Sequence, residues 1–181
     1  RSKNIDLGIS IDDRDQLFKQ AKVLMPMKSL DEVLDSFWTT QKVMVDYESI
    51  ERIAFENVED CFNDGIKLVE LRFAPTFITE GKKLSYEEVI EATIDGVIRA
   101  KKKFDIEVGL IHIVPRALSL KDSEDATSEI LKFKQGKGKD IIVGFDLADG
   151  EDYNQIESYL PVTERAREAG LGVTVHSGEN T

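Results

Sequence analysis

The sequence predicts an α/β fold with parallel strands, because four short apolar runs alternate with amphipathic helical segments. The predicted strands cover residues 66–73, 106–114, 141–145 and 171–175. Each run is almost continuously apolar, as expected of strands that are covered on both faces of a parallel sheet. The spacing leaves room for one helical crossover between successive strands. This periodicity fits an open doubly wound sheet and a (β/α)8 barrel equally well.

Two capping boxes, Ser29 with Glu32 and Ser85 with Glu88, predict the starts of two helices. Each is followed by apolar residues at helical spacing: Leu30, Val33, Leu34, Phe37 and Trp38 after the first, and Tyr86, Val89, Ile90, Ile94, Val97 and Ile98 after the second. The first box places an amphipathic helix in a helical region that precedes the strands.

Three further helices are predicted from apolar spacing and from residues that end helices. One covers 50–62 and stops before Gly65, where a left-handed residue can end it. A weaker one spans about 122–134. The last begins with Pro161 at its first position and ends near Gly170, just before the fourth strand.

Length and charge narrow the class of protein. The 181 residues, of which 41% are hydrophobic and 33% charged, predict one globular domain over 1–181. Acidic residues outnumber basic ones by 35 to 24, giving a net charge of -11. Such a charge repels phosphate backbones and anionic lipid, so neither nucleic acid nor a membrane is expected as a partner.

The cysteine content and the chain ends also carry expectations. Cys61 is the only cysteine, which excludes an internal disulfide and a Cys-x-x-Cys metal site and favours the reducing cytoplasm. No apolar run approaches the roughly 20 residues of a membrane helix. Because the chain starts at Arg1 and stops at Thr181, shortly after a predicted active-site turn, we expect both ends to be cut from a longer protein.

Each predicted strand has a polar residue at or near its carboxyl end: Arg72, Arg116, Asp146 and His176. Parallel α/β folds bind ligands at that edge of the sheet, and a barrel brings the ends together at one mouth. The four residues together therefore predict a joint site. For any one of them alone, the simpler interpretation is a polar residue that begins a solvated loop.

The sharpest motif is His176-Ser177-Gly178-Glu179. A neutral imidazole leaving an apolar strand can bind zinc, and a carboxyl group returned by the glycine turn can transfer a proton. The spacing is common by chance, however, and a lone histidine is more often a structural residue. His112, the other histidine, lies inside an apolar strand and is interpreted as a hydrogen-bonded packing residue.

Three segments together are more specific than that motif: 69–75 (VELRFAP), 143–148 (VGFDLA) and 172–179 (GVTVHSGE). In this order and at this spacing they resemble signature segments of the adenosine deaminase family. The resemblance covers essentially the whole chain, and its four strands match the second to fifth strands of that family. It implies a partial TIM (β/α)8 barrel that lacks the first strand and the last three.

The resemblance also implies a chemistry. In this family one zinc ion is held by an H-x-H pair, a fifth-strand histidine, which His176 matches, and an eighth-strand aspartate. Glu179 matches the glutamate that protonates the purine ring at N1 while zinc-activated water adds at C6 and ammonia leaves. The implied substrate is adenosine or a related 6-aminopurine. No H-x-H occurs here, so we expect this chain alone to lack a complete zinc site and to be inactive.

The chain departs from the family pattern at two positions. Ser177 replaces an alanine beside the metal ligand, which should be tolerated. Asp149 stands where the family has a glycine whose amide contacts the purine, so Asp149 is the expected substrate-binding residue, and the substrate preference is open. On the implied barrel we expect the inner face to carry apolar side chains, with candidates at Val69, Leu71, Val143 and Val173 or Val175.

Two other functions are compatible with the sequence. One is a barrel-derived binding module without catalysis, which zinc analysis of the full-length protein would separate from an enzyme. The other is a small four-stranded domain with a non-zinc nucleotide site, but the chain has no G-x-G-x-x-G or G-x-x-x-x-G-K phosphate loop.

Overall fold

The structure of the protein is a computed structural model that describes residues 5–6, 8, 12–22, 24–28, 30–151 and 156–178. Along the chain the elements are α1 (Arg14–Ala21), α2 (Leu30–Gln41), α3 (Tyr47–Asn63), β1 (Leu68–Phe73), α4 (Pro75–Thr79), α5 (Tyr86–Lys103), β2 (Glu107–Pro115), α6 (Leu120–Gln135), β3 (Ile142–Ala148), a 3₁₀ turn (Ile156–Tyr159), α7 (Leu160–Glu168) and β4 (Gly172–Val175). No helix in these ranges is long and apolar enough to cross a membrane.

The four strands form one parallel sheet in chain order, β1-β2-β3-β4. Helices connect successive strands, so the α/β class and the partial TIM-barrel architecture are confirmed. In one register row Phe73, His112, Phe145 and Val173 lie side by side. Between β2 and β3 the register shifts, because Leu110 pairs with Ile142 while Ile111 pairs with Gly144.

The helix starts and ends follow the local chemistry of the sequence. Ser85 caps α5: its hydroxyl accepts from the Glu88 amide at 3.1 Å, and the Glu88 carboxylate accepts from the Ser85 amide at 2.8 Å. Gly65, just after α3, has φ +84°, the left-handed conformation predicted for it. Ser29 of the first predicted capping box lies outside the described residues. Pro161 occupies the second position of α7 rather than the first.

Three short elements were not predicted from the sequence: α1, α4 and the 3₁₀ turn. The helices among them have eight and five residues, too few for apolar spacing to stand out. Strand β3 runs to Ala148, three residues beyond the predicted end. The polar Asp146 interrupts the apolar pattern, yet it is a fully buried strand residue.

The main core lies between the sheet and its helices. It joins α3, α5, α6 and α7 to the outer face of the strands, and Val69, Leu71 and Val173 pack against it. The expectation that these three face the barrel interior is therefore wrong. Because strand side chains alternate between faces, the inner face carries their neighbours, including Arg72 and Thr174.

Helices α3 and α5 pack in unusually close contact at Gly96. A Cβ placed on this glycine would lie 2.3 Å from the Glu51 carbonyl oxygen and 2.7 Å from Cβ of Ala54. No side chain fits there without movement of a backbone. Gly96 therefore sets the distance between the two helices that cover β1 and β2.

Candidate active site

The candidate site is organised around the carboxylate of Asp146, which is fully buried near the carboxyl end of β3. Arg72 donates from Nε to its Oδ2 at 3.1 Å, and the Thr174 hydroxyl donates to its Oδ1 at 2.8 Å. The Arg72 side chain is 45% exposed. Side chains from β1, β3 and β4 thus meet on the inner face of the sheet, and the guanidinium balances the buried negative charge.

His176 follows β4 directly and is held by the same carboxylate. Its Nδ1 lies 3.1 Å from Oδ2 and 3.3 Å from Oδ1 of Asp146. Because an ionised carboxylate only accepts hydrogen bonds, Nδ1 carries the proton in this arrangement. In the neutral imidazole the other ring nitrogen, Nε2, then has a free lone pair. The side chain is 37% exposed, so the ring is accessible to solvent at the carboxyl end of the strands.

The backbone of His176 is fixed as well. Its amide donates to the Leu147 carbonyl at 2.9 Å, which continues the ladder one residue beyond β4. Its carbonyl accepts a hydrogen bond from the guanidinium of Arg116, the residue that follows β2. Arg72, Arg116, Asp146 and His176 therefore come together at one edge of the sheet, as their positions at the strand ends predicted. One detail differs, since Asp146 lies inside β3 rather than after it.

Sequence reasoning missed Thr174, although it is the one hydroxyl residue in the short strand GVTV. Its hydroxyl lies 2.8 Å from the central carboxylate, closer than the nitrogen atoms of Arg72 and His176 that contact it. Threonine is common in strands because its β-branched side chain fits a pleated surface, so its presence there is no sign of a functional role. Only the pairing of Thr174 with Asp146 in the register gives it a place in the site.

His112 is not part of this site. It is fully buried on the opposite face of the sheet, with its ring against Phe73, Tyr86 and Phe145. The Tyr86 hydroxyl lies 2.5 Å from Nε2, while Nδ1 has no hydrogen-bond partner in the described part of the chain. Burial lowers the pKa of His112 to about 3, so the ring is neutral. The packing role predicted for His112 agrees with this environment, although only one nitrogen is paired.

Asp149 follows β3 at the same edge and has φ +79°, the only positive φ at a non-glycine among the described residues. Glycine adopts a positive φ without steric cost. The backbone of Asp149 therefore has the conformation expected of the glycine that the family has at this position. The Asp149 carboxylate accepts from the Gly150 amide at 2.8 Å. Aspartate tolerates such a backbone better than most residues because its side chain can bond locally in this way.

Glu179, the expected proton donor, lies outside the described residues. Gly178 has φ +75°, which permits the tight turn predicted for the motif. Within the described ranges, no three His, Cys, Asp or Glu side chains are grouped to hold a metal ion. His176 is the residue there whose chemistry and anchored ring suit one position of a zinc site.

Comparison with known proteins identifies the family. Residues 3–181 match the adenosine deaminase family. An adenosine deaminase of Clostridium botulinum (strain Langeland) is 36% identical over 164 residues, which is 91% of this chain and 48% of that protein. One of Vibrio atlanticus is 37% identical over 179 residues, covering 97% and 51% respectively. The chain thus spans about half the length of the curated relatives it matches.

Solved structures show the same fold. An Arabidopsis N6-methyl-AMP deaminase superposes with a TM-score of 0.76 at 23% identity, over 96% of this chain and 51% of that one. An amidohydrolase from Burkholderia ambifaria, solved with bound zinc, gives 0.66 at 21% identity, over 79% and 39%. These likenesses agree in fold, and the family match over residues 3–181 leads to one conclusion: this chain belongs to the adenosine deaminase family.

Proposed function

We propose that the protein carrying this chain is a zinc-dependent hydrolase that converts adenosine or a related 6-aminopurine to the 6-oxo product and ammonia. The observation that carries the proposal is the buried Asp146 carboxylate that anchors Nδ1 of His176 at the ligand-binding edge of the sheet. Metal-binding histidines are commonly oriented in this way by a carboxylate on the other ring nitrogen. Family membership and the bound zinc of the Burkholderia neighbour support it.

In this proposal His176 binds zinc through Nε2, the nitrogen that Asp146 leaves available. The chemistry that zinc would supply there is an activated water for attack on the purine C6 carbon. Holding the proton on Nδ1 prevents the other tautomer, in which Nε2 would carry a hydrogen and could not bind a metal. The Arg72 guanidinium keeps the buried carboxylate compensated in charge, so that the anchor persists.

Two further residues have roles toward the substrate. Glu179 donates a proton to the ring nitrogen N1, which makes C6 more electrophilic, and the oxygen of water replaces the amino group as it leaves as ammonia. The backbone amide of Asp149 faces the purine at the position of the family glycine. We place the enzyme in the cytoplasm on the basis of its single cysteine.

The remaining zinc ligands belong, in this proposal, to parts of a complete barrel outside residues 1–181. The 181-residue segment is then one half of a domain and deaminates nothing by itself. The coverage of about half of each curated relative supports this division. Stoichiometric zinc with ammonia release from the isolated segment would contradict it.

The test compares two substitutions in the full-length protein. Glu179→Gln should keep the zinc and lower kcat for adenosine about 10²- to 10⁴-fold, the usual cost of losing a positioned general acid. His176→Ala should instead reduce the bound zinc itself. Glu168→Gln, an exposed glutamate at the end of α7, is the matched control and should change neither quantity.

Zinc is measured by atomic emission and turnover by ammonia release. Near-normal turnover of Glu179→Gln would remove that residue from the mechanism. Full zinc content in His176→Ala would show that the metal is held elsewhere. A wild-type protein that binds no zinc would favour a binding module over an enzyme.

A further inference from the structure

Arg116 has an unusual place for a charged side chain in this part of the fold. It follows β2 at the carboxyl end of the strands, yet it is only 3% exposed. Its guanidinium reaches past β3 and donates to the main-chain carbonyl of His176 at the end of β4. A buried guanidinium requires hydrogen-bond partners, so its direction is constrained.

We propose that Arg116 is a positioning residue for His176, setting the direction of its imidazole rather than touching metal or substrate. This inference rests on the proposed function. The Asp146 carboxylate fixes one atom of the ring, Nδ1, but a single contact leaves the ring free to pivot. The Arg116 contact to the carbonyl fixes the peptide group from which the side chain extends. Together they define where Nε2 points.

Arg116 is itself held from two sides. Its amide donates to the Ala148 carbonyl at 2.9 Å, and its carbonyl accepts from the Tyr159 hydroxyl at 2.7 Å. Tyr159 is fully buried in the 3₁₀ turn that leads into α7. A chain of contacts therefore runs from Tyr159 through Arg116 to His176 and ties the ends of β2, β3 and β4 together.

Substitution of Arg116 should change the zinc affinity more than it changes the stability of the fold. Residues that orient a metal ligand typically change metal affinity 10- to 100-fold when removed. Arg116→Met keeps much of the aliphatic bulk and removes every donor, so we expect its zinc dissociation constant to rise about 10- to 100-fold. Arg116→Lys retains a charged donor without the planar fork and should recover part of the affinity.

The experiment uses the full-length protein with wild type, Arg116→Met, Arg116→Lys and Tyr159→Phe. Arg165→Met serves as the control, because Arg165 is an exposed arginine of α7 whose guanidinium donates to the Ser128 hydroxyl at 3.0 Å. Zinc dissociation constants come from competition with a chelator. The visible spectrum of the cobalt(II)-substituted protein reports ligand geometry, and urea unfolding of the metal-free protein reports the fold.

We expect a weaker zinc site and an altered cobalt spectrum in Arg116→Met, partial recovery in Arg116→Lys, and wild-type behaviour in the control. Tyr159→Phe, which loses one hydrogen bond to the Arg116 carbonyl, should weaken zinc binding about 3- to 10-fold. If Arg116→Met does not fold, the lysine and phenylalanine variants decide the question.

The inference is overturned if folded Arg116 variants bind zinc with the wild-type dissociation constant and give the wild-type cobalt spectrum. It is equally overturned if Arg165→Met weakens zinc binding as much as Arg116→Met. Failure of the proposed function has a different signature, because the wild-type protein would then bind no zinc or release no ammonia.

Discussion

Replacing Asp146 by asparagine tests the centre of the site with the smallest change in volume. The carboxylate accepts hydrogen bonds from Arg72, Thr174 and His176 and is inaccessible to solvent. Asparagine offers one acceptor oxygen and an NH₂ group that only donates. If the asparagine oxygen takes the Oδ2 position, Arg72 and His176 share one neutral oxygen and the Thr174 hydroxyl must turn to accept from the NH₂ group. In the reverse orientation the NH₂ group faces the Arg72 guanidinium, donor against donor.

The structure sets the size of the effect. Leaving a buried polar group without its partner costs about 1–3 kcal/mol. We expect the lower part of that range for the fold, since the Arg72 side chain is 45% exposed and water can replace part of the lost contact. The zinc site should be affected more, with affinity about 10- to 100-fold weaker, because the negative charge that holds the proton on Nδ1 of His176 is lost.

The assay is chelator competition at pH 7 in the full-length protein, together with urea unfolding of the metal-free form. Asp105→Asn is the control: that carboxylate is 97% exposed and lies 3.5 Å from Lys67, where its loss should change neither measurement. A zinc dissociation constant for Asp146→Asn within threefold of the wild-type value would refute the anchoring role assigned to Asp146.

Substitutions at three further positions test the fold, each by urea unfolding of the full-length protein. The folded-state pKa of His112, about 3, lies below its ordinary value of 6.5. Between pH 6.5 and pH 3 the unfolded chain therefore binds more protons than the folded chain. Stability should therefore drop over that window by up to about 1.4 kcal/mol per pH unit, and a His112→Gln variant with the same slope would contradict the buried neutral ring. Gly96→Ala should destabilise the protein by about 1–3 kcal/mol through overpacking against Ala54 and the α3 backbone. Helix propensity alone would predict an unchanged or higher stability, and that result would show that the two helices can separate. Asp149→Gly should stabilise by about 1 kcal/mol by removing the left-handed strain, while Asp149→Ala should not; equal effects would mean that φ +79° costs nothing.

The strands, most helices and the four strand-end residues could be predicted because their signals are local. An apolar run predicts a buried strand wherever it pairs, and Ser85 with Glu88 predicts a helix start within four residues. The same local signal failed for α1 and α4, which are short, and for the end of β3, where Asp146 looks like the start of a loop. A charge inside a strand is recognised only once Arg72 and Thr174 are seen to compensate it.

The sequence also could not predict which side chains of each strand point to the barrel interior. Leu71 and Val173 have polar or small neighbours on either side, and Val69 lies between Leu68 and Glu70. Nothing local distinguishes the helix-covered face from the barrel interior. Their direction depends on which face the crossover helices cover, a property of the whole sheet.

The sequence by itself determined the family pattern, the order of strands and helices, and the identity of His176, Asp149 and Glu179 as candidates, because these depend on residue types and spacing along the chain. The tertiary structure decided that Asp146 orients His176, that Arg116 holds its carbonyl, and that His112 lies on the opposite face. The two contacts of His176 join residues 30 and 60 positions apart along the chain. They exist only because parallel pairing in a fixed register brings the ends of separate strands within hydrogen-bond distance.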